Sequence, residues 1–299
     1  MNNNNQTIFI MMTNSICAML MAMVLGSCTI SVSTDAKEGI VPSKNYITQK
    51  VNVDNFKGIQ TSTSIDVVYT QTTGETDVEI YAPDNLMEYV KIENNGDILK
   101  ISFESKKKGK GLNIRGKHET KVYVSAPVVH TLLASSSGDI FLKNGLQYEG
   151  KVRIEASSSG DIEGSTIVCE TLNAESSSSG DIELEKVECT SLMAEASSAG
   201  DVSIKNLKAE TVSAEASSSG DVTLKGVCHS ANLEASSAGD IEADGLKAEK
   251  VVANASSSGD VTCYASESLD VSISSAGNVS YKGNPKQILG HPKGLKKMD

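Results

Sequence analysis

The sequence predicts an all-β protein whose main part is a β-solenoid (β-helix) of about eight coils, preceded by an N-terminal β cap. A tract close to Ser-Ser-Ser-Gly-Asp, followed by Ile or Val, recurs at spacings of 18 to 22 residues. A period near 20 with strand-like residues between turns is typical of stacked coils. We expect right-handed winding. The turn glycines are Gly138, Gly160, Gly180, Gly200, Gly220, Gly239, Gly259 and Gly277.

Residues 1–27 are predicted to be a signal peptide of the bacterial lipoprotein type. They contain no charged side chain, and the apolar stretch from Ile16 to Leu25 leads into Gly26-Ser27-Cys28. This order resembles the lipoprotein signal, in which the cysteine thiol is acylated before cleavage, so Cys28 is the expected lipidation site. Because the usual Lys or Arg near the start is missing, ordinary secretion and an uncleaved anchor helix remain alternatives.

Four further segments follow the signal. Residues 28–45 are rich in Ser, Thr and Lys and are predicted to be a tether. Residues 46–133 alternate like strands without repeating, as expected for a β cap that covers one end of the array. Residues 134–284 form the predicted solenoid. Residues 285–299 contain two prolines and several lysines and are predicted to be a closing turn with a loose basic tail.

Each predicted coil alternates between an inward and an outward face. The second residue after every turn glycine is Ile or Val, and small apolar residues alternate with polar ones before the glycine. A period of two identifies strands with one buried face. We expect the glycines to supply a positive φ at the bend between strands.

An acidic residue follows almost every turn glycine, and stacking would place these carboxylates in one column about 4.8 Å apart. One interpretation is that each Asp accepts hydrogen bonds from backbone N–H groups at the turn. The other is a row of weak calcium sites, since carboxylate oxygens are the ligands of Ca²⁺. No other cofactor is expected. The candidate calcium ligands are Asp161, Asp181, Asp201, Asp221, Asp240 and Asp260.

Two cysteines, Cys169 and Cys189, each lie eleven residues before a turn glycine. Neighbouring coils would bring their Cα atoms to a spacing that a disulfide spans, although the parallel Cβ vectors would have to tilt. A Cys169–Cys189 disulfide and two free thiols are therefore the alternatives. A zinc site with Cys228 and His229 is not favoured, because the sequence has no Cys-x-x-Cys pair.

Composition excludes several classes of function. A net charge of −11 argues against a nucleic-acid partner, and against adsorption to an anionic membrane through charge. An enzyme of the β-helix type needs acid and base groups in a cleft, yet the repeat spacing never exceeds 22 residues. The sequence also lacks a Gly-x-Ser-x-Gly elbow. We therefore predict that the protein is not an enzyme.

Several motifs occur in a fixed order along the chain. After the signal come Phe56-Lys57-Gly58-Ile59, then Val122-Tyr123-Val124-Ser125-Ala126-Pro127, the Ser-Gly-Asp-Ile repeats and finally Tyr281-Lys282-Gly283-Asn284-Pro285. This order resembles the head GIN domain family of auto-transporter adhesins from Bacteroidetes-type bacteria. The resemblance covers roughly residues 46–290. It implies a β-helical protein of the cell envelope, and it supplies no catalytic residues.

The expected function is that of an adhesin-like scaffold, anchored in the outer membrane by lipid, that binds protein or glycan on its long regular surface. The alternative is a periplasmic spacer lipoprotein without a specific ligand. The array is expected to face either the periplasm or the outside. Residues 29–33 lack the acidic cluster that resembles a surface-export signal, which argues against the outer face and against adhesion. The oligomeric state is left open.

Overall fold

The computed structural model describes residues 39–107, 111–290 and 294–299. The predicted signal peptide and the predicted lipidation site Cys28 lie outside these residues. The described part contains one short 3-10 helix, Met87–Tyr89, and no helix that is long and apolar enough to span a membrane. It also contains twenty strands: β1 Tyr46–Lys50, β2 Gly58–Thr61, β3 Asp66–Gln71, β4 Asp77–Pro83, β5 Val90–Asn95, β6 Ile98–Phe103, β7 Lys121–Ala126, β8 Thr131–Ser135, β9 Ile140–Leu142, β10 Leu146–Ser157, β11 Ile162–Ser177, β12 Ile182–Glu188, β13 Ser191–Ser197, β14 Val202–Ser217, β15 Val222–Ser236, β16 Ile241–Ala255, β17 Asp260–Ile273, β18 Asn278–Lys282, β19 Gln287–Gly290 and β20 Leu295–Lys297.

The strands from β8 onward form a β-solenoid of about eight turns, which confirms the predicted fold. Successive coils pair in parallel, and equivalent residues of the repeat lie side by side, as Ala194 does beside Ala174 and Ala214. Each coil sends three short runs of side chains inward. In one coil the buried residues are Val202, Ile204, Leu207, Ala209, Val212, Ala214 and Ala216. The third run in this coil is Val212, Ala214 and Ala216, and its small side chains keep the core narrow.

The N-terminal cap is interleaved with the solenoid. Strands β2 and β3 form a coil that pairs in parallel with β8 and β9 on one side and with β6 and β7 on the other. The strands at the outer edges, β5 and β1, pair antiparallel with β6 and β4. Parallel stacking therefore ends here in antiparallel strands, and Ile59 and Ile101 of the cap are fully buried.

The segment predicted to be a loose tail contributes two strands. Strand β19 pairs with β17, and β20 pairs with β18, both in parallel. The core ends here, since Leu269 is fully buried whereas its partner in the next coil, Ile288, is 41% exposed. Lys296 and Lys297 lie on the open edge, where charged side chains oppose pairing with another strand.

The prediction that the turn glycines take a positive φ is wrong. None of the eight has a positive φ, whereas the serine two positions earlier has a φ of 50 to 68° in every turn. The glycines are needed for close approach to the preceding coil. A Cβ atom on Gly180 would lie 2.6 Å from the backbone N of Ser157 and 2.7 Å from the carbonyl O of Gly160.

Candidate functional site

The aspartates after the turn glycines form a hydrogen-bonded column on the outside of the solenoid, the Asp column. From Asp139 to Asp240, the carboxylate Oδ1 of each accepts the backbone N–H of the equivalent aspartate in the next coil, and Asp260 accepts the side-chain amide of Asn278. Charge-assisted bonds of this kind are stronger than neutral ones. The N–O distances are 3.0 Å for Asp161 to Asp139, 2.9 Å for Asp181 to Asp161, and 3.0 Å for Asp201 to Asp181, Asp221 to Asp201, Asp240 to Asp221 and Asp260 to Asp240.

Stacked carboxylates carry an electrostatic cost. Partial burial raises the pKa of Asp139, Asp181 and Asp221, and neighbouring aspartates raise it further, while the backbone N–H bond works in the opposite direction. No three His, Cys, Asp or Glu side chains come together to hold a metal ion among the described residues. The bonding pattern matches the turn interpretation, and calcium binding stays a prediction.

A second acidic column, the Glu column, runs along the strands before the turns. It comprises Glu155, Glu175, Glu195, Glu215 and Glu234, which pair directly from coil to coil. At one end Arg153 contacts two of them, at 2.7 Å from Glu155 and 3.2 Å from Glu175. Further along, burial raises the pKa of Glu195, and the negative charges of the flanking Glu175 and Glu215 raise it by a smaller amount. The column is therefore neutralised at one end and repulsive in its middle.

The raised carboxyl pKa values predict that the protein is more stable in mild acid than at neutral pH. A pKa above the unfolded-state value means that protonation favours the folded state, so this stability is present at low pH and is lost as pH rises through the folded-state pKa. We expect the thermal midpoint to rise as pH falls from 7 towards the ordinary carboxyl pKa of about 4. Thermal unfolding followed by circular dichroism measures it.

Glu195→Gln tests the cause of that dependence. The variant removes one charge from the middle of the Glu column and is expected to raise the midpoint at pH 7 and to flatten its dependence on pH. Glu188 provides the matched control, because its pKa is lowered by Lys186 and its replacement should not stabilise the protein. A wild-type midpoint that falls steadily from pH 7 to about 5 would contradict the account.

Three of the four array cysteines, Cys169, Cys189 and Cys228, occupy the same register position of the coil. Cys169 and Cys189 are half-buried free thiols that directly follow the paired residues Val168 and Glu188 of adjacent coils. Burial raises the pKa of Cys169 to about 12 and that of Cys189 to about 11. Cys228 is buried and pairs with Ala209 of the preceding coil. The coil that contains Ala209 therefore separates Cys228 from Cys189.

The outer face also carries an aromatic patch that the sequence did not predict. It is formed by Tyr123, Val68 and Phe141. Val68 pairs directly with Tyr123 on one side and with Phe141 on the other. Tyr123 is 42% exposed, and the other two side chains are partly exposed. Strand alternation alone indicates that each faces outward, but about 50 residues separate Tyr123 from Val68, so their pairing was not predictable.

A shallow groove of about 260 Å³ adjoins this patch. Phe141 forms one wall, and the carboxylates of Glu163, Glu183 and Glu185 lie along it. Burial raises the pKa of Glu163, and the negative charge of Glu183 raises it by a smaller amount. Gly164 stands where neighbouring coils have leucine, and the ends of Leu142 and Leu184 fill the space of its missing side chain. The groove thus combines an aromatic wall with hydrogen-bond acceptors.

Comparison with known proteins places this architecture in a family. Residues 55–186 and 177–285 match the family model described as "Putative auto-transporter adhesin, head GIN domain". The chain belongs to this family. The resemblance predicted from the motifs is confirmed, and membership is consistent with an adhesin-like protein of the cell envelope. No curated protein matches the chain significantly.

Solved structures share the fold. A protein from Parabacteroides merdae ATCC 43184, titled a putative adhesin, is 19% identical with a TM-score of 0.65 and covers 87% of this chain and 99% of its own. One from Parabacteroides distasonis ATCC 8503, titled a putative lipid binding protein, is 23% identical with a TM-score of 0.64 over 88% and 100%. Another from that organism, titled a putative adhesin, is 20% identical with a TM-score of 0.63 over 87% and 99%. These likenesses concern the fold alone.

Proposed function

We propose that this GIN-domain protein is a non-enzymatic, lipid-anchored adhesin of the outer membrane that binds protein or glycan through the outward surface of its solenoid. The observation that carries the proposal is the continuous, regular outer surface, on which equivalent side chains repeat from coil to coil. Solenoids use such extended surfaces for binding. Membership of an adhesin-like family supports the same function.

A spacer role in the periplasm is the second candidate. It is favoured by the near-identity of the coils, since small exposed serines and alanines recur at each turn and offer a partner few distinctive side chains. A spacer needs only length and stability. The two candidates differ in whether the purified protein has a ligand and in where the array is displayed.

The binding test uses the mature protein extracted from its own cells in mild detergent. The protein is applied to an array of immobilised glycans and to an array of extracellular proteins. If it is an adhesin, we expect it to bind at least one member of these arrays reproducibly. Binding should persist in buffer with a chelator, because the proposed surface needs no metal. The absence of binding to both arrays would favour the spacer role.

The lipid anchor is tested by Cys28→Ala. Acylation requires the Cys28 thiol, so the variant is expected to lose incorporation of a labelled fatty acid and to leave the membrane fraction. Cys17→Ala is the matched control, since this cysteine precedes the proposed cleavage point and its loss should leave the label unchanged. A Cys28→Ala protein that retains the label would contradict lipidation at this residue.

A further inference from the structure

The aromatic patch is confined to the junction between the cap and the array. Tyr123, Val68 and Phe141 occupy consecutive rungs on the outer face, and the same position in later coils is polar. Those later residues are Glu163, Glu183, Ser203, Thr223, Glu242 and Thr262. Cross-strand aromatic and β-branched pairs stabilise sheets, yet stability alone does not require a ring that is 42% exposed, as Tyr123 is.

The chemistry of the patch and groove matches a sugar. The C–H faces of pyranose rings pack on aromatic rings, and sugar hydroxyls donate hydrogen bonds to carboxylates. Phe141 supplies a ring beside the exposed carboxylates of Glu163 and Glu183. Tyr123 lies two strands away, at roughly 9 to 10 Å, a separation close to the length of a disaccharide. Lys205 pairs with Glu185, but Glu163 and Glu183 leave the groove with a net negative charge that repels acidic glycans.

We propose that the aromatic patch and its adjoining groove bind a neutral oligosaccharide. This inference rests on the proposed function and specifies its ligand class and place. A protein partner fits less well, because stable interfaces bury about 800 Å² on each partner, far more than three apolar side chains offer. A sheet face with one exposed ring, Tyr123, and one partly exposed ring, Phe141, instead suits a chain of sugars lying across the strands.

The test measures binding of the full mature protein to immobilised neutral cello-, manno- and chito-oligosaccharides, with sialylated and sulfated glycans alongside. Calorimetry then gives the Kd for the neutral glycan that binds best. Phe141→Leu and Tyr123→Leu remove a ring while keeping an apolar side chain, and each is expected to weaken binding at least tenfold. Tyr264→Leu, a partly exposed tyrosine of the array, is the matched control and should leave the Kd unchanged.

The outcomes separate this site from the broader function. If no neutral glycan binds, or if Phe141→Leu and Tyr123→Leu bind as tightly as wild type, the site is overturned. In that event, binding elsewhere on the glycan or protein arrays would leave the adhesin proposal standing. If circular dichroism shows that the ring variants do not fold, Glu163→Gln serves instead, because it alters an exposed groove carboxylate and should weaken binding severalfold. An unchanged Kd for Glu163→Gln would then overturn the site.

A separate observation concerns the thiols of adjacent coils, and we infer that Cys169 and Cys189 form a disulfide outside the cytoplasm. Register puts the two residues on neighbouring rungs, about 4.8 Å apart at Cα, within the range that a disulfide spans. Oxidation joins the two sulfurs and passes two electrons and two protons to the disulfide of an envelope thiol–disulfide oxidoreductase, which becomes a dithiol. The high thiol pKa values make uncatalysed exchange slow.

Counting thiols tests the disulfide. Cells are treated with N-ethylmaleimide, and the denatured mature chain is then labelled by a heavy maleimide before and after reduction. Of the four array cysteines, two are expected to be labelled before reduction, by either maleimide, and two only after reduction, since Cys228 and Cys263 are buried until the chain is denatured. Cys169→Ser should abolish the reduction-dependent label, while Cys228→Ser should keep it. Four thiols that react without reduction would overturn the inference.

Discussion

Gly220→Ala is expected to destabilise the solenoid by about 3 kcal/mol, the upper part of the range for overpacking. The added Cβ would lie 2.5 Å from the backbone N of Ser197 and 2.8 Å from the carbonyl O of Gly200. These are main-chain atoms held in the preceding coil, so no side-chain rotation relieves the contact. The coils must separate locally, and hydrogen bonds between them weaken. The urea midpoint of the purified protein measures the loss.

The residue before this glycine provides a matched control. Ser219 has a φ of 70°, a conformation that costs a non-glycine residue about 1 kcal/mol. Ser219→Gly is therefore expected to leave stability unchanged or to raise it slightly, since relief of strain is offset by greater freedom in the unfolded chain. If Gly220→Ala were tolerated while Ser219→Gly destabilised the protein, close approach would not be the reason for the glycine.

Asp201→Ala is expected to cost about 1.5–3 kcal/mol, the usual contribution of a hydrogen bond to a charged group. The change leaves the backbone N–H of Asp221 without the carboxylate that accepts it at 3.0 Å. Asp201→Asn keeps an oxygen acceptor in place and removes one like charge from the Asp column. The asparagine variant should therefore be close to wild type in thermal unfolding, whereas the alanine variant should not.

The same variants separate the turn role from calcium binding. If the aspartates only accept hydrogen bonds at the turns, wild type and Asp201→Asn should each have the same thermal midpoint in calcium as in chelator. A calcium-dependent rise in wild type that Asp201→Asn abolishes would instead support a row of calcium sites. Equal stability of Asp201→Ala and wild type in chelator would contradict the hydrogen-bonded column altogether.

The array was predictable because the same alternation of buried and exposed positions recurs in every coil of about 20 residues. Alternation placed Val202 and Ile204 inside and Asp201 outside, and the fixed period placed equivalent residues side by side. The turn glycines were misinterpreted because their requirement comes from the preceding coil. Local turn propensity indicates that glycine is favoured, but it cannot distinguish a positive φ from a close contact.

The cap and the candidate glycan site depended on pairing between distant segments. Strand β3 lies between β7 and β9, so chain order does not give spatial order at this end of the molecule. Tyr123 and Phe141 each resemble an ordinary outward residue of a strand. Only the pairing through Val68 brings them to one face, and a single sequence contains no signal for it.

The most direct test of an adhesin is whether intact cells display the array. Cells that produce the protein are treated with protease and labelled with antibody against the repeat coils, before and after the outer membrane is broken. We expect the coils to be labelled by antibody and removed by protease on intact cells. Coils that become accessible only after lysis would contradict surface adhesion and leave the periplasmic spacer role.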